Sequence, residues 1–200
     1  MRNSILLIIF FLAFIINYGI AKNEYQILAI VNNQAITSID LQNEIKIYEI
    51  LNNQKITNLA EREKILTNLI NDEIKKQEVE KHKIETNQSF VKNYFNNYLK
   101  QLNQNNIKLN SFNKELVYEK IKLSMKWKIL VKKNYQNKLN INTVEIDKII
   151  EDKKSLNSED SDKNLLKNKI INNEIEKKFE SYEKFHFNIV KKKSLIKIFE

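Results

Sequence analysis

The sequence predicts a mainly α-helical protein in which a small antiparallel β-sheet joins an N-terminal hairpin to a C-terminal strand. Three observations carry this. Capping residues repeatedly stand just ahead of apolar stripes at helical spacing. Residues 27–31 and 35–36 form two short apolar runs around Asn32, Asn33 and Gln34. Residues 194–200, SLIKIFE, form the other strand-like segment. A lone two-stranded ribbon is marginal in water. The hairpin therefore needs a third strand, and the SLIKIFE segment is the one on offer.

The elements follow in order. Asn tolerates a positive φ better than any residue but Gly, so Asn32-Asn33 suits a tight turn. Thr37 and Asp40 then form a hydroxyl-and-carboxylate helix start, followed by Leu41, Ile45, Tyr48 and Leu51. Asn52, Asn53 and Gln54 break that helix. Asn58 and Glu61 open a second, with Leu66, Leu69, Ile70 and Ile74 as its stripe, reaching about His82. Thr86 or Asn87 caps a third, which carries Phe90, Val91, Tyr94, Phe95, Tyr98 and Leu102 and stops at residues 103–106.

A fourth helix runs from about Ser111 to the Lys133 region, with Phe112, Leu116, Ile121, Met125, Trp127, Ile129 and Leu130. Val144, Ile146, Ile149 and Ile150 suggest a short further helix opened by Asn142 or Thr143. Residues 153–163, KKSLNSEDSDK, are polar and read as a linker. Beyond them Ile171, Ile175, Phe179, Tyr182, His186 and Ile189 make one continuous stripe. The four apolar residues of SLIKIFE fit a strand buried on both faces, or an edge strand with one apolar side.

Composition excludes much. The 200 residues include no Cys, no Pro and one Gly, and that Gly is Gly19. Phosphate-binding loops and nucleophile elbows need Gly where the backbone turns sharply, so none can be drawn. Thiolate metal sites are out, and His82 and His186 stand apart from any partner at ligand spacing. No cofactor is called for. The net charge of +9 comes from Lys mixed with Glu along helices, which reads as a solvated face. Arg occurs only as Arg2 and Arg62, and the single basic triplet is Lys191, Lys192 and Lys193. Clustered Arg and a basic stripe, the footprint of a nucleic-acid binder, are missing.

Residues 1–21 read as an export signal: Arg2, an unbroken apolar run over 5–16, then Gly19-Ile20-Ala21 with small residues where a signal peptidase cuts. The expected domain plan is signal peptide 1–21, an N-terminal core 22–152, the linker 153–163, and a helix and strand over 164–200 that complete the core. The expected location is the periplasm, with membrane contact only transiently through the signal. The alternative is an uncleaved anchor at the inner membrane.

In this order the pieces resemble the SurA-like family of periplasmic chaperones. The resemblance lies in ILAIVNNQAITSIDL, in ILTNLINDEIKKQEVEKHKIETNQSF and in KKFESYEKFHFNIVKKKSLIKIF. It spans most of residues 25–150 and 165–200. The family places one or two parvulin-type prolyl isomerase modules between the N-terminal helices and the last helix. Only the linker stands there in this chain, so isomerase activity is not implied. Residues 103–130 are also shorter than the family's corresponding helices. The resemblance implies a helical cradle that holds unfolded outer-membrane polypeptides without ATP, with the outer-membrane assembly machinery as a further partner. The competing expectation is an inner-membrane-anchored adaptor that binds one folded partner.

A holdase needs exposed apolar and aromatic surface rather than catalytic residues. The expected peptide-binding residues are Phe90, Tyr94, Phe95, Tyr98, Phe112, Trp127, Phe179, Tyr182 and Phe185. Helical stripes usually face inward, so core packing is the competing explanation for each. The aromatic band of the third helix is wider than a thin helical domain can bury. Phe185 and Phe187 straddle the stripe of the last helix, so at least one should be exposed or bound to something. His186 on that stripe reads as a satisfied, half-buried residue. Asp40 with Glu44, and Asp72 with Glu73, read as cap and surface chemistry rather than as catalytic carboxylate pairs.

Overall fold

The computed structural model describes residues 25–140 and 160–199. The export signal expected over 1–21, the short helix expected around 144–150 and residues 153–159 of the expected linker lie outside the described residues. Within them the chain is mainly helical, with a small three-stranded antiparallel sheet.

Strands β1 (Ile27–Val31) and β2 (Gln34–Thr37) pair antiparallel, with Val31 opposite Gln34 across a two-residue turn. Asn32 adopts a φ of 54° there, which a non-Gly residue tolerates best as Asn. The β1–β2 register shifts between Ile27 and Ala29, and Leu28 packs with Leu41, Ile45 and Ile65. Thr37 caps helix α1 (Ser38–Asn52) through a full capping box with Asp40. The buried residues of α1 are Leu41, Ile45 and Ile47. Tyr48, expected on the inner stripe, is instead exposed. One residue of separation rotates a helical position by roughly 100°, enough to exchange Tyr48 for Ile47.

Helix α2 (Leu59–Lys81) starts on the Asn58 cap, as its sequence predicts. It is the centre of the fold and touches α1, β1 and β2 as well as the two long helices that follow. Helix α3 (Gln88–Gln104) is capped by Asn87, and α4 (Ser111–Tyr135) by Asn110. A single 3-10 turn, Gln136–Lys138, ends this part of the chain. Helix α5 (Asp160–Lys193) begins earlier than expected, so residues 160–163 are helical rather than linker. Strand β3 (Ile196–Ile198) then pairs antiparallel with β1, in the sheet order β2-β1-β3. The two distant segments meet in one sheet. β3 is an edge strand with Ile196 turned to the core, so the second of the two expectations for SLIKIFE holds.

Three helices stop on the same device. Asn53, Lys83 and Asn106 have φ values of 50°, 49° and 59°. The next residue in each case donates its N–H back into the last turn: Gln54 to the Glu49 carbonyl, Ile84 to Val79 and Ile107 to Leu102. This left-handed stop usually takes Gly. Here Asn does it twice and Lys once.

Ala29, Val31 and Ile36 of the sheet pack on Ile70 and Ile74 of α2, with Phe187, Val190 and Ile196 alongside. Asn32 ties the layers together. Its N–H donates to the Leu195 carbonyl at 2.7 Å, and its Oδ1 accepts from the Leu195 N–H at 2.9 Å. Its Nδ2 donates to Gln77 Oε1 at 2.6 Å, while Gln77 Nε2 donates to the Val31 carbonyl at 3.1 Å.

A second core packs α4 on α5 around the fully buried Trp127, with Val79, Ile84, Leu130 and Val131. Tyr135 stacks on Tyr182 with centroids 4.9 Å apart. On α5, Phe187 and Val190 join both cores, whereas Ile175, expected on the stripe, is exposed. His186 is buried rather than half-buried. Its Nδ1 lies 3.2 Å from the Tyr135 hydroxyl and its ring 5.3 Å from Trp127. Its Nε2 has no hydrogen-bond partner among the described residues. Burial lowers the His186 pKa below the ordinary value; Glu78 opposes that shift, while His82 and Lys193 reinforce it.

Two predictions follow from these contacts. Asn32→Gly keeps the turn but loses both side-chain bonds, and is expected to lower the unfolding free energy by about 1–2 kcal/mol. Asn32→Ala should cost about 1 kcal/mol more, because it adds the penalty for a positive φ. Urea denaturation of the pair checks the order. For His186 the folded state resists the proton that the unfolded chain accepts below pH 6.5, the ordinary histidine pKa. Stability should therefore fall as pH drops through that value and level off below the folded pKa. His186→Gln should flatten part of the fall in thermal melts between pH 8 and pH 5.

Candidate functional site: exposed rings and a charged cleft

The nine aromatic residues expected to bind peptide separate into two groups. Trp127, Phe179 and Tyr182 pack between α4 and α5. Trp127 is fully enclosed, so the structure corrects its expected role from cradle lining to core; Phe179 and Tyr182 are half-buried beside it. Phe95 and Tyr98 are half-buried against Ile47, Leu102, Leu109 and Val117, and Phe95 meets Tyr118 edge-on at 5.4 Å. The others face solvent. Phe90 is 62% and Tyr94 52% exposed, while Phe112 and Phe185 are also exposed.

The cause on α3 is geometric. Val91 and Leu102 are buried, and Phe95, Tyr98 and Leu99 pack at the margin. That fills the width one helix can offer a neighbour. Phe90 and Tyr94 stand one turn apart on the remaining face, at the spacing where helical side chains are neighbours. Phe112 belongs to the first turn of α4. Phe185 sits on α5 beside an opening of about 390 Å³ that Lys138, Lys178, Ser181 and Tyr182 also line. Of the pair flanking the α5 stripe, Phe187 turned inward and Phe185 outward.

None of the nine lines the larger cleft. That cleft, about 520 Å³, lies between β2 and α1 on one side and α4 on the other, over the surface of α2. Its lining is aliphatic and charged, including Leu69, Leu116, Leu123, Glu44, Asp72 and Lys120. Lys120 of α4 reaches across it to Glu44 of α1 at 2.8 Å and to Asp72 of α2 at 3.0 Å. Burial alone would lower the ammonium pKa, but the nearby charge of Asp72 and the hydrogen bond and charge of Glu44 together leave it raised. One lysine thus pins three helices around the cleft.

The acidic pairs of the sequence are accounted for by these contacts. Asp40 accepts the Thr37 N–H in the capping box, and Glu73 accepts from Gln77 Nε2 at 2.9 Å. Among the described residues, no three His, Cys, Asp or Glu come together as a metal site. No described helix is long and apolar enough to cross a membrane. The Glu44–Lys120–Asp72 bridge had no signal in the sequence. Its three members sit on different helices, each among many similar charged residues.

Compared with known proteins, the chain matches no family and no curated protein.

Lys120→Met would leave Glu44 and Asp72 facing each other without their shared cation. The expected loss is about 1–2 kcal/mol, small because the bridge is partly solvated. Chemical denaturation of Lys120→Met against Glu44→Gln/Asp72→Asn/Lys120→Met measures it. The triple variant should recover part of the loss, since it removes the uncompensated carboxylates along with the cation.

Proposed function

We propose that this chain is an exported holdase: an ATP-independent chaperone of the periplasm that binds unfolded outer-membrane polypeptides during their transit. The observation that carries the reading is the pair Phe90 and Tyr94, two large rings left on the open face of α3 beside a well-buried face. Phe112 and Phe185 add exposed rings on two other helices. Unfolded barrel strands alternate apolar and aromatic residues with polar ones, and such chains bind exposed rings with little demand for a fixed sequence. The holdase reading needs no nucleophile, metal or cofactor, and it takes the prolyl isomerase chemistry of the SurA-like family as absent here. Export through residues 1–21, with cleavage after Ala21, places the chain where such clients pass.

The test uses the purified mature chain and a urea-denatured outer-membrane barrel diluted into buffer. Aggregation, followed by light scattering, should slow at stoichiometric amounts of chaperone. Phe90→Ser/Tyr94→Ser should weaken that protection at least about fivefold, as expected when two exposed rings are removed from a client contact. Its thermal midpoint should stay near that of the parent, because neither ring is in the core. Equal protection by parent and double variant would remove this face from the site. No protection by the parent would end the chaperone reading. A single folded partner recovered at the inner membrane, with residues 1–21 retained, would favour the adaptor instead.

A further inference from the structure

The sheet has two outer strands, and they differ. At β2 the Thr37 N–H is already taken by the Asp40 carboxylate at 2.7 Å, and the chain turns at once into α1. That edge is blunted. At β3 the Leu195 carbonyl accepts from Asn32 N–H, and Phe199 N–H donates to the Leu28 carbonyl at 2.9 Å. In an antiparallel ladder, residues alternate between bonding inward and outward. With Leu195 and Phe199 bonded to β1, Lys197 also faces β1, while the N–H and C=O of Ile196 and Ile198 point away from it.

No described strand lies beyond β3. Its side chains are open too: Leu195 is 78% and Ile198 60% exposed. Ile198 lies on the same face of the strand as Ile196, which packs on the core under the sheet. A further strand would continue that core over Ile198.

We infer that the outer edge of β3 takes up an extended segment of a client polypeptide as a fourth strand, with a carboxylate of the client opposite Lys197. The choice of occupant follows from charge. A second copy of this chain could use all four outward groups only in the antiparallel register that sets Ile196 against Ile198. That register places Lys197 directly opposite its own counterpart, with Lys191, Lys192 and Lys193 close by in sequence. Like charges directly across a ladder destabilise it, and an edge lysine is a common guard against self-pairing. The same lysine favours a strand that brings an acidic residue to that position. Main-chain bonds would supply sequence-tolerant affinity, and Lys197 with Ile198 the preference. The inference rests on the holdase reading for the source of the strand, but the edge can be tested separately.

The test is amide hydrogen exchange by NMR on the isotopically labelled full mature chain. The probes are two short synthetic peptides of alternating Val and Thr, one with a central Asp and one with a central Lys. Free chain should show fast exchange at Ile196 and Ile198 and slow exchange at Lys197 and Phe199. The Asp peptide should slow Ile196 and Ile198 and bind about fivefold more tightly than the Lys peptide. Lys197→Glu should reverse that preference. Ile198→Pro removes an outward donor and no bond to β1, so it should weaken the Asp peptide about fivefold while Phe199 stays protected.

Equal binding of the two peptides, an unchanged affinity in Ile198→Pro, or no protection at Ile196 and Ile198 overturns the inference. So does a dimer by sedimentation that Ile198→Pro dissolves, or binding of phosphatidylglycerol vesicles at this edge with no peptide bound. If barrels are protected from aggregation while β3 gains no protection from peptide, the edge falls and the holdase reading stands. If the peptide adds with the charge reversal but barrels still aggregate, the edge stands and the holdase reading falls.

Discussion

The fold depends on closing β3 onto β1. Leu195 and Asn32, which exchange hydrogen bonds at the hairpin tip, are 163 positions apart. Bringing such distant segments together costs loop entropy, though that cost grows only slowly with length. The return lies in what the closure covers. Ala29, Val31 and Ile36 are buried against Ile70 and Ile74, and Phe187, Val190 and Ile196 complete the seal from the other end of the chain. Without β3 and the end of α5, the hairpin would be a two-stranded ribbon held only by α1 and α2. Asn32 makes the closure specific, because its side chain bonds to Leu195, just ahead of β3, on one side and to Gln77 of α2 on the other.

A chain with one Gly and no Pro must solve its turns another way. Asn32, Asn53 and Asn106 hold positive φ values, and Lys83 does so without the side-chain amide that makes Asn tolerant. Each helix stop is supported by backbone bonds, and two also by a contact between the residue beyond the stop and the last turn: Ile84 with Val79, and Ile107 with Leu102. Local strain is thus offset by packing, at three helix ends of one small domain.

Charge and aromatic surface divide the molecule between them. Around the larger cleft, Lys120 and its two carboxylates are mutually satisfied, so this concavity is held in shape by charge rather than by rings. The rings that remain open lie on the outer faces of three helices, at Phe90, Tyr94, Phe112 and Phe185, the last beside the smaller opening. A client seated on these faces would meet separate apolar footholds rather than one deep pocket. That suits flexible polypeptides, which offer many weak contacts and no fixed shape.

Much of this was legible along the chain, because the signals are local. Thr37 with Asp40, Asn58 and Asn87 mark helix starts by chemistry confined to one turn, and Asn32 marks the hairpin by its tolerance of positive φ. The width of the α3 band showed that some of its rings must stay outside. Only the tertiary structure decided which ones. Phe90 and Tyr94 differ from Phe95 and Tyr98 only in which side of α3 meets α1 and α4, and Trp127 looked like any exposed aromatic candidate until α5 closed over it. Ile47 replaced Tyr48, and Phe187 replaced Ile175, for the same reason. A stripe tells which face is apolar, but the rotation of the helix against its neighbours selects the side chains that are buried. The Lys120 bridge joins three helices and leaves no pattern in any one of them. Sequence determined the described helices and strands and the caps that open α1, α2 and α3, through interactions a few residues long; packing decided the core, the bridge and the exposed edge, through contacts between residues far apart in the chain.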